Sequence, residues 1–442
     1  MKILIKNASI VDPVNNLSGK YDILIDGKYI AEIDDSIEID NLKIDKNNIQ
    51  IIDIQGKYLL PGLIDMHVHL REPGYEDKET IKTGCEAAAA GGFSTVACMP
   101  NTKPVADNPS TVEYIKSKAE EALVKVIPIG SITKNSEGNE LAEIGFLKDA
   151  GVRGLSDDGN PVMNSEIMRR AMEYADSFGL PIISHCEDEN LAGDGVMNEG
   201  YNSTILGLKP IPAVAEEAMI SRDILLAEFT GVHLHIAHMS TKRGVEMLKE
   251  AKKKGVRVTA EVTPHHLIFD DSLVKGYNPD TKVNPPLRSR EDLESLQEAV
   301  REGIIDVIAT DHAPHTFEDK LGEYDYAAFG ISGLETALSS LYSELILKNK
   351  LQLEDLVMLM GVNPAGILGL DYPGIKEGAV ADLIVFDSEK DWTVEKKMLK
   401  SKGKNTPFAG KTLKGKVQLT IVDGKIVYND QDGKGELIYD NN

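Results

Sequence analysis

Hydrophobic and polar residues follow two different patterns along this chain. The first 60 residues and the segment after residue 372 contain short apolar runs, such as Ile3–Ile5 and Leu383–Phe386, separated by Asp, Asn and Gly turn signals. This pattern is typical of β-strands joined by tight turns. It predicts a small antiparallel sheet in the N-terminal segment and similar strands at the C-terminus. We expect both segments to pair into one flanking β-sandwich domain, residues 1–60 and 373–442.

Residues 61–372 alternate strand-like runs with helical stretches. Eight strand-then-helix units predict a (β/α)8 TIM barrel. A doubly wound sheet is the alternative, but the first unit lacks a Gly-x-Gly-x-x-Gly turn. The predicted strands are 62–68, 93–98, 124–129, 152–156, 181–186, 233–238, 257–262 and 305–311, and helices include 111–123, 166–178, 212–230, 243–253 and 290–302.

Potential metal ligands follow the ends of these predicted strands. Alternation along strand 62–68 sends His67 and His69 to the same side. In a barrel the carboxyl ends of the strands converge on one mouth, so polar side chains from distant positions meet there. Their nitrogen and oxygen atoms suit zinc or another divalent ion. The candidate ligands are His67, His69, Asp158, His185, His238 and Asp311. In predicted strand 233–238, His233 and His235 alternate with His238, so we expect their side chains to face the outer helices.

A set of six ligands exceeds the four that a structural zinc site uses, and it suits two ions about 3.5–4 Å apart. Such a pair favours hydrolysis, or its reverse, at an amide-like carbon. Asp158 is the expected bridging carboxylate, and Asp157 beside it would point the other way. Asp311, at the end of the last strand, can exchange a proton with the attacking water and the leaving nitrogen.

Arg71 lies where the chain leaves strand 62–68, and a guanidinium there is suited to binding a substrate carboxylate. Asn101, Asn284 and His315 lie in loops after predicted strands, where polar side chains can contact the same ligand, although each alone is also a common turn residue. The chain has 48 basic and 71 acidic residues, which give a net charge of −23. In so acidic a protein an anionic substrate needs a local basic residue, and Arg71 is placed to supply it. The net charge disfavours nucleic acid or an anionic membrane as the main partner.

The cysteines and the lengths of the apolar runs bear on where in the cell the protein lies. Cys85, Cys98 and Cys186 lack CxxC spacing, which argues against a disulfide framework or a thiolate zinc site and fits a reducing cytoplasm. No apolar run approaches the roughly 18 residues of a membrane-spanning helix. We therefore expect a cytoplasmic protein with no membrane partner.

Together the motifs resemble the amidohydrolase superfamily and, within it, the class I bacterial dihydroorotase family. The resemblance covers nearly the whole chain. It includes Pro61–Gly74, Gly91–Thr102, Ser156–Gly159, Ser184–Glu187, Ile236–Thr241, Glu261–His266, Lys282–Arg288, Ala309–His315, Phe329–Glu335 and Asn405–Phe408. It implies the reversible cyclisation of N-carbamoyl-L-aspartate to dihydroorotate in pyrimidine biosynthesis, with one or two zinc ions per subunit.

The resemblance also implies roles for individual residues. His67, His69, Asp158 and Asp311 would hold one zinc ion, and Asp158, His185 and His238 the second. Asp311 would be the general acid and base. The substrate would be bound by Arg71, Asn101, Asn284 and His315, with backbone help from Phe329 and Gly330, and loop 316–328 would close over the mouth. A homodimer is implied, with aspartate carbamoyltransferase as a candidate partner.

One departure from the wider superfamily leaves alternatives open. Many relatives bridge the metals with a carboxylated lysine, whereas segment 154–159 contains no lysine, as in class I dihydroorotases. A hydantoinase or allantoinase acting on a different cyclic amide is the nearest rival. A non-catalytic subunit that scaffolds aspartate carbamoyltransferase is the other, but such proteins typically lose metal ligands, and all six are present here.

Overall fold

A computed structural model describes residues 2–38 and 48–439. The predicted β segments 1–60 and 373–442 therefore include residues 1, 39–47 and 440–442, which lie outside the described residues. In chain order the strands are β1 Lys2–Asp12, β2 Leu17–Asp26, β3 Tyr29–Asp34, β4 Ile49–Asp53, β5 Tyr58–Pro61, β6 Leu63–Val68, β7 Phe93–Cys98, β8 Lys125–Pro128, β9 Ile182–Ser184, β10 Met197–Asn198, β11 Pro210–Ile211, β12 Leu234–Ile236, β13 Val258–Val262, β14 Val307–Ile308, β15 Leu383–Thr393, β16 Thr412–Val422, β17 Lys425–Asn429 and β18 Glu436–Leu437.

The α-helices lie mostly between the barrel strands. They are α1 Ile81–Gly91, α2 Pro109–Ala119, α3 Ile144–Ala150, α4 Ser165–Asp176, α5 Glu189–Ala192, α6 Tyr201–Leu206, α7 Val214–Thr230, α8 Lys242–Lys253, α9 Pro264–Ile268, α10 Arg290–Arg301, α11 Ala337–Leu341, α12 Leu353–Val357 and α13 Asn363–Leu368. Within the described ranges, none of the helices combines the length and the apolar character needed to cross a membrane.

Helix α10 shows why the helical pattern was readable from the sequence. Ser289 and Asp292 form a capping box, in which the Ser289 hydroxyl accepts the Asp292 N–H and the Asp292 carboxylate accepts the Ser289 N–H, both at 3.2 Å. Leu293, Leu296 and Val300 are buried on one face, which is the spacing of an amphipathic helix. The predicted range 290–302 is therefore confirmed to within one residue.

The two terminal segments join in one nine-stranded sheet, in the order β18-β17-β16-β15-β5-β1-β2-β3, with β4 also paired to β1. The junction is the antiparallel pairing of β5 with β15. The N-terminal part was predicted to be antiparallel, and this was wrong in part, since β1 pairs in parallel with both β4 and β5. Apolar alternation identifies a strand but carries no information about the direction of its neighbour.

The barrel closes by parallel pairing around its full circumference. Strands β6, β7 and β8 form one run and β9, β12, β13 and β14 another. Leu155 forms the fourth position by bridging Gly130 and Ile182, and Val68 pairs with His312 to close the ring. The barrel with a flanking β domain is thus confirmed.

Two of the predicted strands are much shorter than expected, and beside each of them a buried carboxylate accepts backbone N–H groups. The Asp157 carboxylate accepts the N–H groups of Ile132 and Thr133, at 2.8 and 3.1 Å, and predicted strand 152–156 reduces to the bridge at Leu155. Predicted strand 305–311 reduces to β14, Val307–Ile308. Just beyond its end, the Asp65 carboxylate accepts the Thr310 N–H at 3.2 Å.

Residues on alternate sides of the barrel strands enter different cores. Leu234 and Ile236 of β12 pack in the core shared with the outer helices. His235 consequently faces the barrel interior, where its Nε2 lies 3.2 Å from Glu261. The prediction that His235 faces the outer helices was wrong, because it counted alternation back from His238. That residue lies beyond the end of β12 with a φ of 31°, so the alternation does not extend to it.

Candidate metal centre and substrate pocket

All six predicted metal ligands lie at the carboxyl-end mouth of the barrel and are buried there. His67 is the penultimate residue of β6, and the others follow their strands by one to three residues or, for Asp158, follow the Leu155 bridge. Three residues of this region, Arg71, His238 and Asp311, have left-handed backbones, with φ of 62°, 31° and 48°. Such conformations cost free energy for residues other than glycine and concentrate at functional sites. Tertiary packing, rather than local preference, aims these side chains.

Asp158 occupies the centre of the cluster. Its Oδ1 atom lies 3.3 Å from Nε2 of both His67 and His238, and 3.6 Å from Nδ1 of His185. Its Oδ2 atom lies 3.3 Å from Nε2 of His69. One carboxylate therefore faces four imidazoles through two different oxygens, which is the arrangement that a bridging ligand requires. Asp157, as expected, points away toward the 131–133 loop.

Asp311 approaches the same cluster from the last barrel strand. Its Oδ1 lies 3.1 Å from Nε2 of His69 and 3.7 Å from Nε2 of His67. Two overlapping groups result, His67 with Asp158 and His238, and His67 with His69 and Asp311, and within each group the ligand atoms lie within 4.8 Å of one another. His67 belongs to both groups, so the two potential cation positions are adjacent.

The hydrogen bonds behind His67 and His69 determine what these two residues present to the cluster. Nδ1 of His67 donates to Glu261 at 2.5 Å, and Nδ1 of His69 donates to Oδ1 of Asn101 at 2.9 Å. When these two imidazoles are neutral, each Nε2 is therefore unprotonated, and its lone pair points at carboxylate oxygens. Among the described residues, Nε2 of His67 has no hydrogen-bond partner. Lone pairs facing lone pairs in a buried site require a cation between them, so these residues fit a metal ion.

The electrostatics of the cluster agree with this fit. Burial opposes protonation of His67, but the charges of Asp158 and Glu261 raise its pKa well above the usual value. Burial likewise opposes ionisation of Asp158, yet the neighbouring histidines hold its pKa well below the usual value. The site therefore strongly favours positive charge beside Asp158, which a proton or a metal ion can supply.

His185 and His238 lie on the far side of Asp158, with Nδ1 of His185 2.9 Å from Nε2 of His238. Nε2 of His185 points the other way, toward Glu187 at 3.4 Å. The Asn284 side chain donates to the same Glu187 oxygen at 2.9 Å, and among the described residues its Oδ1 has no partner. Asn284 thus borders the cluster and still has an open acceptor.

The other predicted substrate-binding residues form a second group beside the cluster. Arg71 donates from Nε to the Pro314 carbonyl at 3.2 Å, and its Nη2 lies 3.3 Å from Nε2 of His315. His315 in turn donates to the Phe329 carbonyl at 2.7 Å. Gly330 follows with a φ of 123°, and a Cβ there would lie 2.7 Å from the Ala313 carbonyl oxygen. Only glycine fits this close approach.

Burial and the charges of Arg71, Lys320 and Lys78 lower the pKa of His315 to about 3. His315 is therefore neutral near pH 7. Asn101 differs from the other predicted contacts because both ends of its amide are already in use. Its Oδ1 accepts from His69, and its Nδ2 donates to the Asp158 carbonyl at 3.2 Å.

Loop 316–328 is held against the mouth by two lysines. The Lys320 ammonium donates to the carbonyls of Ala328 and Pro279, at 2.6 and 3.1 Å. Lys282 donates to the carbonyls of Tyr324 and Asp325, each at 3.0 Å, and its ammonium lies 4.5 Å from the centre of the Phe329 ring. These hydrogen bonds hold the loop next to Phe329.

Sequence reasoning assigned no role to Glu261, which lies behind the ligands. It is fully buried in β13 and contacts His67 through one oxygen and His235 through the other. The available signal was its charge, since it is the one acidic residue in the strand Val258–Val262. A carboxylate in a buried parallel strand needs a partner, and here the partner is a candidate metal ligand.

Comparison with known proteins agrees with this geometry. Residues 56–244 match the Dihydro-orotase-like family model, and residues 227–428 match the Amidohydrolase family model. The chain is 52% identical to the dihydroorotase of Thermoanaerobacter sp. (strain X514), over 99% of this chain and 100% of that protein. It is 53% identical to the dihydroorotase of Syntrophus aciditrophicus (strain SB), over 97% of this chain and 100% of that protein.

Solved structures show the same architecture. The L-hydantoinase (dihydropyrimidinase) from Arthrobacter aurescens superimposes with a TM-score of 0.86 at 27% identity, over 99% of this chain and 97% of that one. The dihydropyrimidinase from Brevibacillus agri NCHU1002 gives a TM-score of 0.84 at 24% identity, with the same coverage, and that likeness shows the fold alone. The full-length identity to the two dihydroorotases, together with the buried histidine and aspartate cluster at the barrel mouth, establishes that this chain belongs to the dihydroorotase family of amidohydrolases.

Proposed function

We propose that the protein is a dihydroorotase, which interconverts N-carbamoyl-L-aspartate with (S)-dihydroorotate and water in the biosynthesis of UMP. The observation that carries the proposal is the Asp158-centred ligand cluster with Arg71 and His315 beside it, in a chain about half identical to dihydroorotases over its full length. A metal centre next to a guanidinium suits a cyclic amide that carries a carboxylate.

The proposed cofactor is zinc, with one or two ions per subunit. His67, His69, Asp158 and Asp311 would hold one ion, and Asp158, His185 and His238 the other. The donor set of imidazole and carboxylate, without thiolate, is compatible with zinc. When bound, zinc supplies Lewis acidity that makes water nucleophilic near neutral pH and polarises a carbonyl.

Asp311 is the proposed general acid and base. Burial opposes its ionisation, but the neighbouring histidines, first His69 and then His67, lower its pKa, so it is ionised at neutral pH. During hydrolysis it takes a proton as the oxygen of water attacks the ring carbonyl. It returns that proton to the ring nitrogen as the carbon–nitrogen bond breaks. Cyclisation follows the same path in reverse.

Arg71, Asn101, Asn284 and His315, with the Phe329–Gly330 backbone, are the proposed substrate contacts. Arg71 supplies the charge that an anionic substrate needs in a chain of net charge −23. The open Oδ1 of Asn284 can accept a ring N–H. Asn101 contributes chiefly by fixing His69 and Asp158, and its second amide hydrogen remains available for substrate.

The wider setting is also part of this proposal. We infer a cytoplasmic homodimer, and aspartate carbamoyltransferase as a candidate physical partner. We also infer that residues 61–372 form the barrel domain and that residues 1–60 and 373–442 form one composite β domain.

The decisive experiment measures dihydroorotate hydrolysis by the purified protein, together with its metal content. We expect robust turnover with one to two zinc ions per chain. The controls are hydantoin, allantoin and 5,6-dihydrouracil, which lacks the carboxylate of dihydroorotate. Faster turnover of hydantoin or allantoin would overturn the proposal in favour of the hydantoinase alternative. A metal-loaded protein that stays inert with every cyclic amide, alone and with added aspartate carbamoyltransferase, would indicate a scaffold subunit.

A further inference from the structure

The segment between β15 and β16 reaches from the flanking sheet to the barrel mouth. We call residues 399–405 the mouth segment. Its Lys400 and Ser401 N–H groups donate to the Glu335 carboxylate, at 2.8 and 3.1 Å. The Lys402 N–H and the Ser401 hydroxyl donate to Glu79, at 3.1 and 2.5 Å. Both carboxylates belong to the barrel, where Glu79 is fully buried and Glu335 is half-buried, so the mouth segment is attached to the barrel along its length.

The mouth segment then packs directly against the residues that follow Asp311. A Cβ at Gly403 would lie 2.6 Å from the Cβ of Pro314 and 2.8 Å from the backbone nitrogen of His315. The Gly403 carbonyl accepts a hydrogen bond from the Ser332 hydroxyl at 2.7 Å. Glycine is required here because the backbones touch, and the contact is made with the wall of the substrate pocket.

Asn405 ends the segment and connects the two sides of that wall. Its Oδ1 accepts the backbone N–H of His315 at 3.0 Å, and its Nδ2 donates to the Gly330 carbonyl at 2.9 Å. Its own carbonyl accepts the Ser332 N–H at 2.7 Å. The orientation of the amide is unambiguous, because one partner can only donate and the other can only accept. Asn405 is 4% exposed, so water does not replace these bonds.

We propose that Asn405 is a positioning residue for substrate binding, supplied by the flanking segment rather than by the barrel. It sets the separation of His315 from Gly330. These residues lie on adjoining backbones that also pair at His312 and Ile331. This inference rests on the proposed function, in which His315 and the Phe329–Gly330 backbone contact the substrate. Asn405 itself lies behind them and acts through them.

The test compares three purified variants with the wild type. Asn405→Ala removes both amide bonds. Asn405→Asp keeps the shape and the acceptor but places a carboxylate oxygen against the Gly330 carbonyl. Asn429→Ala is the matched control, because Asn429 lies in β17 of the same flanking sheet. Within the described ranges its side chain has one hydrogen bond, in which Oδ1 accepts the Gln431 N–H at 3.0 Å.

We expect both Asn405 variants to raise the KM for dihydroorotate about tenfold or more, with kcat within about twofold and zinc content unchanged. The Asn429→Ala control should match the wild type in KM, kcat and zinc content. An unchanged KM in a folded Asn405 variant, or a loss confined to kcat, would overturn the inference. If Asn405→Ala does not fold, Asn405→Asp decides by the same criteria. Failure of the proposed function is distinguishable, since it appears as a wild type inert toward dihydroorotate.

Discussion

Replacing Glu261 by glutamine should weaken metal binding without rearranging the barrel. Glu261 is fully buried, and its two oxygens contact His67 at 2.5 Å and His235 at 3.2 Å. Glutamine has the same shape and keeps an oxygen that can accept from Nδ1 of His67. Its NH2 group would face His235, whose Nδ1 lies 2.8 Å from the Thr259 hydroxyl. His235 can therefore take the tautomer that accepts from the amide and donates to Thr259, so no buried group loses its partner.

What the substitution removes is the negative charge behind His67. That charge raises the affinity of the imidazole for a cation, as the elevated pKa of His67 shows for a proton. Changing the partner of a metal-bound histidine typically costs 10- to 100-fold in metal affinity. This corresponds to about 1.4–2.7 kcal/mol. Because the hydrogen bond is kept, we expect the zinc dissociation constant of the tighter site to rise by an amount within that range.

The assay is competition between the metal-free protein and a zinc-sensitive chelating dye, followed by kcat measured at saturating zinc. Asp430→Asn is the control, since Asp430 is a fully buried carboxylate of the flanking region that pairs with Lys416 at 2.7 Å. We expect the control to bind zinc as the wild type does. A Glu261→Gln variant with a dissociation constant within twofold of the wild type would refute the reasoning.

Three further substitutions test the assigned roles. Asp311→Asn should lower kcat about a hundredfold or more with most of the zinc retained, and near wild-type turnover would contradict the proton-transfer role. Arg71→Ala should raise the KM for dihydroorotate roughly 10- to 100-fold, because a hydrogen bond to a charged group contributes about 1.5–3 kcal/mol. An unchanged KM would exclude carboxylate binding by Arg71. His315→Gln tests pH dependence, since burial and then Arg71 hold the pKa of His315 at about 3 against an ordinary 6.5. The stabilisation from neutral His315 is present above pH 6.5 and is lost as pH falls toward 3. From pH 7.5 to 5, the wild type should therefore lose about 2 kcal/mol of unfolding free energy relative to the variant. Parallel pH curves in denaturant titrations would contradict this.

The predicted ligand set came from local signals. Each candidate was a histidine or aspartate at the end of an apolar run, and strand ends in a barrel face one mouth. The structure brings all six together around Asp158. Alternation within a strand was less reliable at the ends themselves. His238 follows β12 in a left-handed backbone, so counting by twos placed His235 on the wrong side.

The sequence by itself determined the fold class, the candidate ligand residues and the class of chemistry that they suit, because strand and helix periods and the residues at strand ends are local properties. Only the tertiary structure decided which atoms meet. The sequence predicts that Asp158 lies at a strand end. It does not predict that one carboxylate oxygen faces His67 and the other faces His69. Nor does any local pattern connect Asn405 to His315, which are 90 residues apart. Such contacts depend on how the flanking segment closes against the barrel, and that packing is set by the whole chain.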